Sequence, residues 1–566
     1  MSTSDFFPEV PGEFSDLKGG TPPLDPNLIA EWSKNLFGPL SSGGSVDELV
    51  LSSSKIPNEI PASSDTILSQ AGPVSGTKPN ISPSGYSRIV EDIPGRNLPS
   101  YPGGLNVPGG LPGQNSLSSF SFLEDFRRLD AGAGNLNIAD PFSFNPSLVP
   151  SFDLSSGNLD LSYARNDFPI LQEKVNGRNL VWLDNAATTH KPQAVIDRIS
   201  YFYKHENSNI HRGAHTLAAR ATDAYEAARD KVKGFLNASS SEEIVFVRGA
   251  TEAINLVAST WGKKNIGKDD EILISWLEHH ANIVPWQMLC SEKGAKLKVV
   301  PVDETGQIIL SEYQRLLTPK TRLVAFTQVS NALGTVTPVE TMVELAHKQG
   351  AKVLVDGAQA VSHMPVDVQA LDCDFYVFSG HKVFAPTGIG VLFGKKEILD
   401  SMPPWQGGGN MIQDVTFERT VYQPAPFRFE AGTGNIADAV GLGAAIDYLN
   451  QFGMTRIAEY EHSLLEYGTK ELKKVPGVKL IGTSADKAGV LSFILEGFKT
   501  EDVGRYLAQE GIAVRSGHHC AQPILRRFGL ESTVRPSLAF YNTCEDIDAL
   551  IRALYDLVGG RTSGPL

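Results

Sequence analysis

From residue 161 onward, segments with the apolar spacing of a helix alternate with short segments that have the composition of a strand. Amphipathic stretches predict helices, and one of the longest runs from Thr216 to Leu236. Short runs of β-branched and aromatic residues separate these stretches and predict strands. The predicted strands lie at residues 244–247, 271–275, 298–302, 322–329, 352–356, 375–379 and 390–393. Strands that alternate with helices predict an α/β fold, in which a mostly parallel sheet is covered by helices.

Beyond about residue 430 the order of elements changes. The elements expected there are helices at 437–451 and 455–474 and strands at 490–495 and 513–515. This arrangement lacks the regular alternation and indicates a smaller α+β unit. The pattern therefore predicts a large domain at residues 161–430 and a small domain at residues 431–566.

Residues 1–160 have neither a helical nor a strand period. Of the 35 prolines in the chain, 19 lie in this stretch, together with segments rich in Gly and Ser. Such a composition cannot bury enough apolar surface to offset chain entropy, so we expect a disordered extension. Apolar islands interrupt it near Phe6, near Trp32 and at residues 120–129. Two interpretations stay open: the islands dock on a partner and order there, or the extension is a plain spacer.

Composition and charge exclude several classes of protein. The chain has 566 residues and a net charge of −14, and residues 1–160 contain 8 Lys and Arg against 18 Asp and Glu. No part has the basic footprint of a nucleic-acid binder. The four cysteines lack the spacing of disulfide frameworks or zinc sites, which predicts a reducing compartment and no metal. Without a signal peptide or a membrane-spanning run, the expected location is cytoplasmic, with no membrane contact.

Two residues near strand ends suit a cofactor that carries an aldehyde. Asp356 ends the run 352–356, and ligands of α/β sheets bind at such ends. A carboxylate there can keep a pyridinium nitrogen protonated, and Gln359 can bond a phenolic oxygen. Lys382 follows the run 375–379 and can form a Schiff base. Taken singly, Asp356 is better explained as a turn cap and Lys382 as a surface lysine.

Other motifs favour the chemical interpretation. Thr251 lies in a Gly-Ala-Thr-Glu string that opens a helix, where backbone N–H groups bind anions. Ser379 and His381 precede Lys382 in the chain, and both can reach a phosphate group of the cofactor. His279 follows another strand and can stack on a ring. It can equally bind a metal, but no second cluster has the spacing of metal ligands.

Cys520 ends a string that contains two adjacent imidazoles, Arg515-Ser516-Gly517-His518-His519-Cys520. We expect these imidazoles to favour its thiolate. Cys290, Cys373 and Cys544 are better explained as small apolar residues. A cofactor lysine together with a separate reactive thiol indicates chemistry that moves a heteroatom, and sulfur is the natural candidate.

Several strings, in order, resemble those of the group II (SufS-type) cysteine desulfurases. They are Leu183-Asp184-Asn185-Ala186-Ala187-Thr188-Thr189, Asn209-Ile210-His211-Arg212-Gly213, Glu278-His279-His280-Ala281-Asn282-Ile283-Val284-Pro285-Trp286, Val355-Asp356-Gly357-Ala358-Gln359-Ala360, Ser379-Gly380-His381-Lys382 and Arg515-Ser516-Gly517-His518-His519-Cys520-Ala521. The resemblance covers about residue 161 to the C-terminus. It implies a fold-type I enzyme, aspartate aminotransferase-like, that uses pyridoxal 5'-phosphate (PLP) and forms an obligate homodimer. Its implied reaction converts L-cysteine to L-alanine and leaves the sulfur as a persulfide on an enzyme cysteine.

The resemblance also implies a role for each matching residue. The implied catalytic residues are Cys520, which takes the sulfur, Lys382 and His279. The implied cofactor-binding residues are Lys382, Asp356, Gln359, His279, Thr251, Ser379 and His381, helped by Thr433 of the partner subunit. The residues implied to bind the substrate carboxylate are Arg535 and Asn331.

The extension is the largest departure from standard members of this family. Long Pro-, Gly- and Ser-rich extensions are similar to those of cysteine desulfurases packaged as cargo in family 2 encapsulin shells. This similarity implies that residues 1–160 target the enzyme to such a nanocompartment. The sulfur acceptor, SufE-like or SufU-like, stays open. The alternatives are a selenocysteine lyase, an aminotransferase or lyase in which Cys520 is incidental, and a scaffold or storage protein built around the extension.

Overall fold

The structure, a computed structural model, describes residues 161–211 and 215–560. The expected disordered extension and its apolar islands lie outside the described residues. The strands of the described part are, in chain order, β1 (Lys174–Val175), β2 (Arg178–Asn179), β3 (Val181–Trp182), β4 (Ile244–Val247), β5 (Glu271–Ser275), β6 (Lys296–Val300), β7 (Thr321–Thr327), β8 (Lys352–Asp356), β9 (Phe375–Ser379), β10 (Gly390–Gly394), β11 (Ile412–Val415), β12 (Thr420–Tyr422), β13 (Val478–Leu480), β14 (Phe493–Leu495), β15 (Ile512–Ala513), β16 (Arg515–Gly517) and β17 (Thr533–Arg535).

Helices alternate with these strands over most of the described chain. They are α1 (Gln193–His205), α2 (Thr216–Leu236), α3 (Ala250–Val257), α4 (Lys263–Asn265), α5 (Val284–Lys293), α6 (Leu310–Leu316), α7 (Val339–Lys348), α8 (Val368–Leu371), α9 (Lys396–Ser401), α10 (Ile436–Phe452), α11 (Met454–Leu472), α12 (Thr500–Gln509), α13 (Gln522–Arg527) and α14 (Cys544–Val558). A π-helical turn, Ala258–Gly262, joins α3 to α4. Across the part of the chain that the structure describes, no helix is both long and apolar enough to span a membrane.

The largest sheet has seven strands in the order β4-β10-β9-β8-β7-β5-β6. Neighbours from β9 to β6 pair in parallel, whereas β10 is antiparallel to both of its neighbours. The expected mostly parallel α/β sheet of a fold-type I enzyme is therefore confirmed. Because β8 and β9 are parallel neighbours, the chemistry-bearing residues that follow them emerge at one edge of the sheet.

Both faces of this sheet are buried. In β8, Val353 and Val355 belong to one apolar cluster and Leu354 to the other. In β4, Ile244 and Val245 divide between the two clusters in the same way. Side chains of a strand point alternately to opposite faces, so two covered faces require continuous apolar runs such as those in the sequence.

A second sheet, β13-β14-β17-β16, lies in the C-terminal part of the chain. The segment before α1 also joins this region, because β3 pairs in parallel with β15. An isolated bridge between Asp184 and Ser537 continues the contact. The beginning and the end of the described chain are therefore neighbours in space.

Several strand boundaries differ from the sequence-based expectation. The strand expected at 298–302 is observed at Lys296–Val300, and Pro301, which has no N–H to donate, follows its last residue. The strand expected at 513–515 is two short strands. One pairs with β3 and the other with β17, because the chain changes partner at Val514.

Candidate active site

A cavity of about 230 Å³ opens where the parallel strands end. It receives residues from the ends of β8 and β9, from the start of α3 and from the turn after β16. Ten residues expected at the site from sequence line this one cavity: Thr251, His279, Asn331, Asp356, Gln359, Ser379, His381, Lys382, Cys520 and Arg535. The fold thus brings together residues that lie as far apart in the chain as Thr251 and Arg535.

Lys382 ends a single 3₁₀ turn, Gly380–Lys382, that follows β9 directly. The pKa of Lys382 is lowered to about 8, mainly by burial. The charge of Asp356 opposes this effect, and the charge of Arg535 adds to it. Burial disfavours the charged form of an amine, so the free amine is accessible near neutral pH. An amine of this kind can serve as a nucleophile and as a proton carrier.

Asp356 ends β8 and is buried. One of its carboxylate oxygens, Oδ1, accepts a hydrogen bond of 3.0 Å from the backbone N–H of Ala358. Burial raises the pKa of Asp356, and the charge of Lys382 opposes this effect. A buried carboxylate opposite a lysine is suited to an N–H donor on a cationic ring. Gln359 lies beside it, and its Oε1 has no hydrogen-bond partner among the described residues.

The start of α3 contributes backbone to the cavity. The N–H of Ala250 donates to Oγ of Ser379 at 2.9 Å. Glycines allow this close approach, because a Cβ on Gly390 would lie 2.5 Å from Cα of Gly249. Thr251 follows on the first turn, where unpaired N–H groups favour an anion. Burial lowers the pKa of His381 to about 4, so its imidazole is neutral.

His279 lies in the loop after β5 and is held by that loop. Its Nδ1 accepts the backbone N–H of Ala281 at 3.0 Å. The pKa of His279 is lowered to about 3, mainly by burial and in part by the charge of Lys382. The ring is therefore neutral with its hydrogen on Nε2. Beneath it, burial raises the pKa of Glu278 to about 8, and Asn282 donates to this carboxyl group at 2.6 Å.

Arg535 is the most buried cation of the cavity, with 1% of its surface exposed. It donates to the backbone oxygen of Asn331 at 2.9 Å and to Oδ1 of Asp184 at 3.0 Å. Its Nε and the Oδ1 of Asn331 have no partner among the described residues. Buried polar atoms are normally paired, so the Nε–H of Arg535 fits an acceptor such as a carboxylate, whereas Oδ1 of Asn331 fits an N–H or O–H donor.

Cys520 lies in a turn with an unusual backbone. His519 and Cys520 have positive φ values of 54° and 55°, and Gly517 has a φ of 132°. Such values are uncommon for residues with a Cβ and are maintained by local contacts. The backbone N–H of His280 donates to the Cys520 oxygen at 2.8 Å, and the N–H of Cys520 donates to Nδ1 of His518 at 3.0 Å. These bonds fix the turn in which Cys520 lines the same cavity as Lys382.

Of the two imidazoles expected to favour the thiolate, that of His519 makes its contacts elsewhere. Nε2 of His519 bonds Oγ1 of Thr533 at 2.8 Å, and burial lowers the pKa of His519 far below its ordinary value. A neutral ring directed away from the sulfur cannot supply charge to it. The cations near the thiol are Lys382 and Arg535, both of which interact electrostatically with Cys520. Proximity in sequence misled here, because consecutive side chains in a left-handed turn diverge.

Thr433 lies in a different cavity, of about 540 Å³. Its hydroxyl donates to Oδ1 of Asn209 at 3.2 Å, and Arg248 and Glu252 line the same space. Thr433 is therefore separate from the other expected site residues within one subunit.

Sequence reasoning assigned no role to two residues at the cavity. Asp184 pairs with Arg535, whereas Arg515 lines the wall. Both lie inside strings that matched the family, so position in those strings was the available signal. The pairing of Asp184 with Arg535 spans 351 positions and could not be read from spacing.

Comparisons with known proteins identify the family of the chain. The model of the class-V aminotransferases matches residues 181–550. The chain belongs to the class-V aminotransferases, among the cysteine desulfurases. A cysteine desulfurase of Synechococcus elongatus is 62% identical over 464 residues, which cover 81% of this chain and 74% of that protein. A probable cysteine desulfurase of Mycolicibacterium paratuberculosis is 57% identical over 82% of this chain and 67% of its own length.

Solved structures agree with this assignment. The cysteine desulfurase CsdA of Escherichia coli, in an S-sulfonic acid form, is 41% identical and superposes with a TM-score of 0.66 over 71% of this chain and 98% of its own. The apo cysteine desulfurase of Thermococcus onnurineus gives 0.68 at 37% identity over 71% of this chain and 98% of its own. The protein is therefore a PLP-dependent cysteine desulfurase that acts on L-cysteine. The unpaired Nε–H of Arg535 fits the carboxylate of an amino-acid substrate, and the unpaired amide oxygen of Gln359 shows that this side chain has room for a partner in the cavity.

Proposed function

We propose that this enzyme is a group II (SufS-type) cysteine desulfurase that receives sulfur on Cys520 and is held in an encapsulin shell by residues 1–160. The observation that carries the catalytic part is the single cavity shared by Lys382 and Cys520. These residues belong to different elements and to different sheets, yet each interacts with the charge of the other. A lysine for the cofactor and a thiol for sulfur are the two groups that persulfide formation requires.

Four residues would hold the ring and the aldehyde of PLP. Bound PLP supplies an electron sink that weakens bonds at the α-carbon of an amino acid. Lys382 would hold the aldehyde carbon, Asp356 the ring nitrogen and Gln359 the phenolic oxygen. The neutral ring of His279 would stack on the cofactor without adding charge, and the buried Glu278 would fix the loop that carries it.

The phosphate group would lie at the start of α3. The residues that would hold it are Thr251, Ser379 and His381, with Thr433 of the partner subunit. The N–H groups of the first helical turn would add to this site. Arg535 and Asn331 would then bind the carboxylate of L-cysteine, Arg535 through its unpaired Nε–H and Asn331 through its amide N–H group.

Lys382 would carry the proton. Its lowered pKa, about 8, allows the free amine to take the α-proton of L-cysteine and to return a proton to the product. Its turn is fixed to the end of β9, so the amine stays at the edge where the substrate binds. General acid–base catalysis by a positioned group of this kind contributes roughly 10²–10⁴-fold to a rate.

Cys520 would take the sulfur. Its thiolate forms a sulfur–sulfur bond with the substrate, and the carbon–sulfur bond breaks with its electron pair left on the substrate carbon. That carbon takes a proton and becomes the methyl group of alanine, while the enzyme keeps a persulfide. Cys520 is half-buried and its neighbour His518 is exposed, so a SufE-like or SufU-like acceptor could reach the persulfide.

The position of Thr433 supports the proposal of a homodimer. This residue faces a cavity of its own subunit that holds neither Lys382 nor Cys520. If Thr433 helps to bind the phosphate, it must do so across a subunit interface. Sedimentation of the purified protein at micromolar concentration tests this point, and a stable monomer that retains full activity would contradict it.

The main experiment separates the desulfurase from its closest rival. Purified full-length enzyme with PLP is given L-cysteine or L-selenocysteine, and alanine and sulfide or selenide are measured. We expect alanine from L-cysteine in the wild type and little in Cys520→Ser. Equal desulfuration of L-cysteine by Cys520→Ser would show that the persulfide role is wrong. Activity on selenocysteine alone would favour the lyase.

The targeting role of residues 1–160 needs its own test. All residues proposed for catalysis lie beyond residue 160 in the sequence, so we expect deletion of the extension to leave alanine formation intact. The deleted enzyme and a fluorescent protein fused to residues 1–160 are each co-expressed with an encapsulin shell. Shell particles should capture the fusion and lose the deleted enzyme. Packaging of the deleted enzyme would refute targeting, whereas loss of activity on deletion would place the extension in the active site.

A further inference from the structure

Three buried side chains form a hydrogen-bonded chain that leads away from the cavity. Gln359 lines the cavity, and its amide nitrogen Nε2 lies 3.2 Å from Nε2 of His363. The other ring nitrogen, Nδ1, lies 2.6 Å from Oε2 of Glu461 on α11. These three residues are 2%, 5% and 3% exposed. Residues that follow β8 are thereby joined to a helix of the C-terminal region.

The orientation of the Gln359 amide determines whether its oxygen or its N–H group faces the cavity. As placed, the amide nitrogen faces His363 and the buried oxygen Oε1 has no partner among the described residues. The two ends of an amide have the same shape, so their assignment follows from hydrogen bonding. The opposite orientation directs the oxygen to His363 and an N–H to the cavity. That orientation suits the phenolic oxygen of PLP, which is an anion and needs a donor.

His363 sets this orientation only if its Nε2 carries a hydrogen. A ring with its hydrogen on Nδ1 would require a Glu461 carboxylate whose buried charge is offset only by hydrogen bonds, without a cation, which is costly. Burial raises the pKa of Glu461, which favours the protonated carboxyl group. If Oε2 donates across the 2.6 Å contact to Nδ1, the ring hydrogen lies on Nε2 and can donate to the amide oxygen.

We propose that His363, held by Glu461, is a positioning residue that directs the Gln359 amide so that its N–H faces the cofactor. The competing explanation is a structural pair that only joins the end of β8 to α11. A structural pair would affect the stability of the fold without changing the cofactor. The inference rests on the proposed contact between Gln359 and the phenolic oxygen, and the test includes a variant of that residue.

Two substitutions of His363 distinguish these explanations. In His363→Gln, the longer amide reaches the position of Nε2 and can still donate to Gln359. In His363→Asn, the shorter amide reaches only the position of Nδ1 and can contact Glu461 but not Gln359. We expect His363→Asn to weaken PLP binding about fivefold to tenfold, the effect of one net hydrogen bond, and to shift the cofactor absorbance band. His363→Gln should restore most of both properties.

A direct measurement accompanies the variants. Nitrogen NMR of full-length holoenzyme with isotope-labelled histidine, assigned through His363→Gln, should show a protonated Nε2 near neutral pH. His347→Gln is a matched control, because His347 also pairs with a buried carboxylate, Asp374, at 2.8 Å but does not line the cavity. It should leave the PLP affinity and the absorbance band unchanged.

Three results would each contradict a different part of the proposal. If Gln359→Ala changes neither the PLP affinity nor the absorbance band, the proposed role of Gln359 itself is wrong. If Gln359→Ala changes them but His363→Asn does not, the positioning role of His363 is wrong. An unprotonated Nε2 in the wild type overturns the inference even where a variant fails to fold.

Discussion

Gly357 lies directly after Asp356, and adding one methyl group there tests how the site is positioned. A Cβ on Gly357 would lie 2.0 Å from Cζ of Tyr376 and 2.1 Å from its hydroxyl oxygen. Carbon atoms in ordinary contact are about 3.5–4.0 Å apart, so the two groups must separate by about 1.5 Å. Tyr376 is fully buried and its hydroxyl donates to Gln328 at 2.6 Å, so the ring cannot turn aside.

Gly357→Ala should therefore move the backbone next to the catalytic carboxylate. The N–H of Gly357 donates to the oxygen of Val377 at 2.9 Å, and this bond must lengthen or break. Overpacking costs about 1–3 kcal/mol and a lost backbone hydrogen bond about 1 kcal/mol, which together give about 2–4 kcal/mol. A displacement of about 1 Å near Asp356 can lower kcat roughly 100-fold.

Denaturant unfolding of the apo-enzyme at fixed protein concentration measures the loss of stability, and alanine formation measures kcat. Gly234→Ala is the matched control. Gly234 lies in α2, and no atom lies within 4 Å of the position that an added methyl group would take, so the variant should gain about 0.5–1 kcal/mol and keep full activity. A Gly357→Ala enzyme with wild-type stability and wild-type kcat would refute the steric reasoning. If Tyr376→Leu relieves the defect in the double variant, the clash itself is the cause.

Three further substitutions test individual groups. Lys382→Ala, reconstituted with PLP, should lose the yellow absorbance band of the wild type. Arg535→Lys keeps the charge but loses the Nε donor, so kcat/KM for L-cysteine should fall about tenfold or more in a steady-state alanine assay, since a charged hydrogen bond contributes about 1.5–3 kcal/mol. The hydrogen bond to Asp374 raises the pKa of His347. The contribution of this hydrogen bond to stability is fully present below about pH 6.5 and is lost as the pH rises through the raised pKa. His347→Gln should therefore be less stable than the wild type at low pH, and the difference should become small at high pH. Denaturant unfolding at several pH values measures this difference.

The strand ends and their residues could be predicted from sequence because local rules determine them. The apolar runs before Asp356 and Lys382 have the length and composition of buried parallel strands, and the edge where they end follows from the fold class. The seven-stranded sheet confirms these expectations. The single antiparallel strand, β10, carries no distinct signal, since its apolar run looks like that of its neighbours.

Contacts between distant segments could not be predicted in this way. The pairing of Asp184 with Arg535 and the chain from Gln359 to Glu461 join residues whose spacing follows no period. The direction of His519 was also inaccessible, because the left-handed backbone of its turn is set by contacts with His280. Sequence reasoning therefore identified ten residues that meet in one cavity, but not the direction in which His519 makes its hydrogen bond.

The distribution of charge explains why the cavity suits its chemistry. Burial lowers the pKa values of His279, His381 and His519, so these rings line the cavity as neutral groups and add no charge to it. The remaining cations include Lys382 and Arg535, and each has a carboxylate nearby that offsets only part of its charge. A phosphate, a substrate carboxylate and a thiolate are all anions, and they would meet this positive field in a space with little water. The same cations that would bind the substrate thus also interact with the Cys520 sulfur, which is where the transferred sulfur would be received.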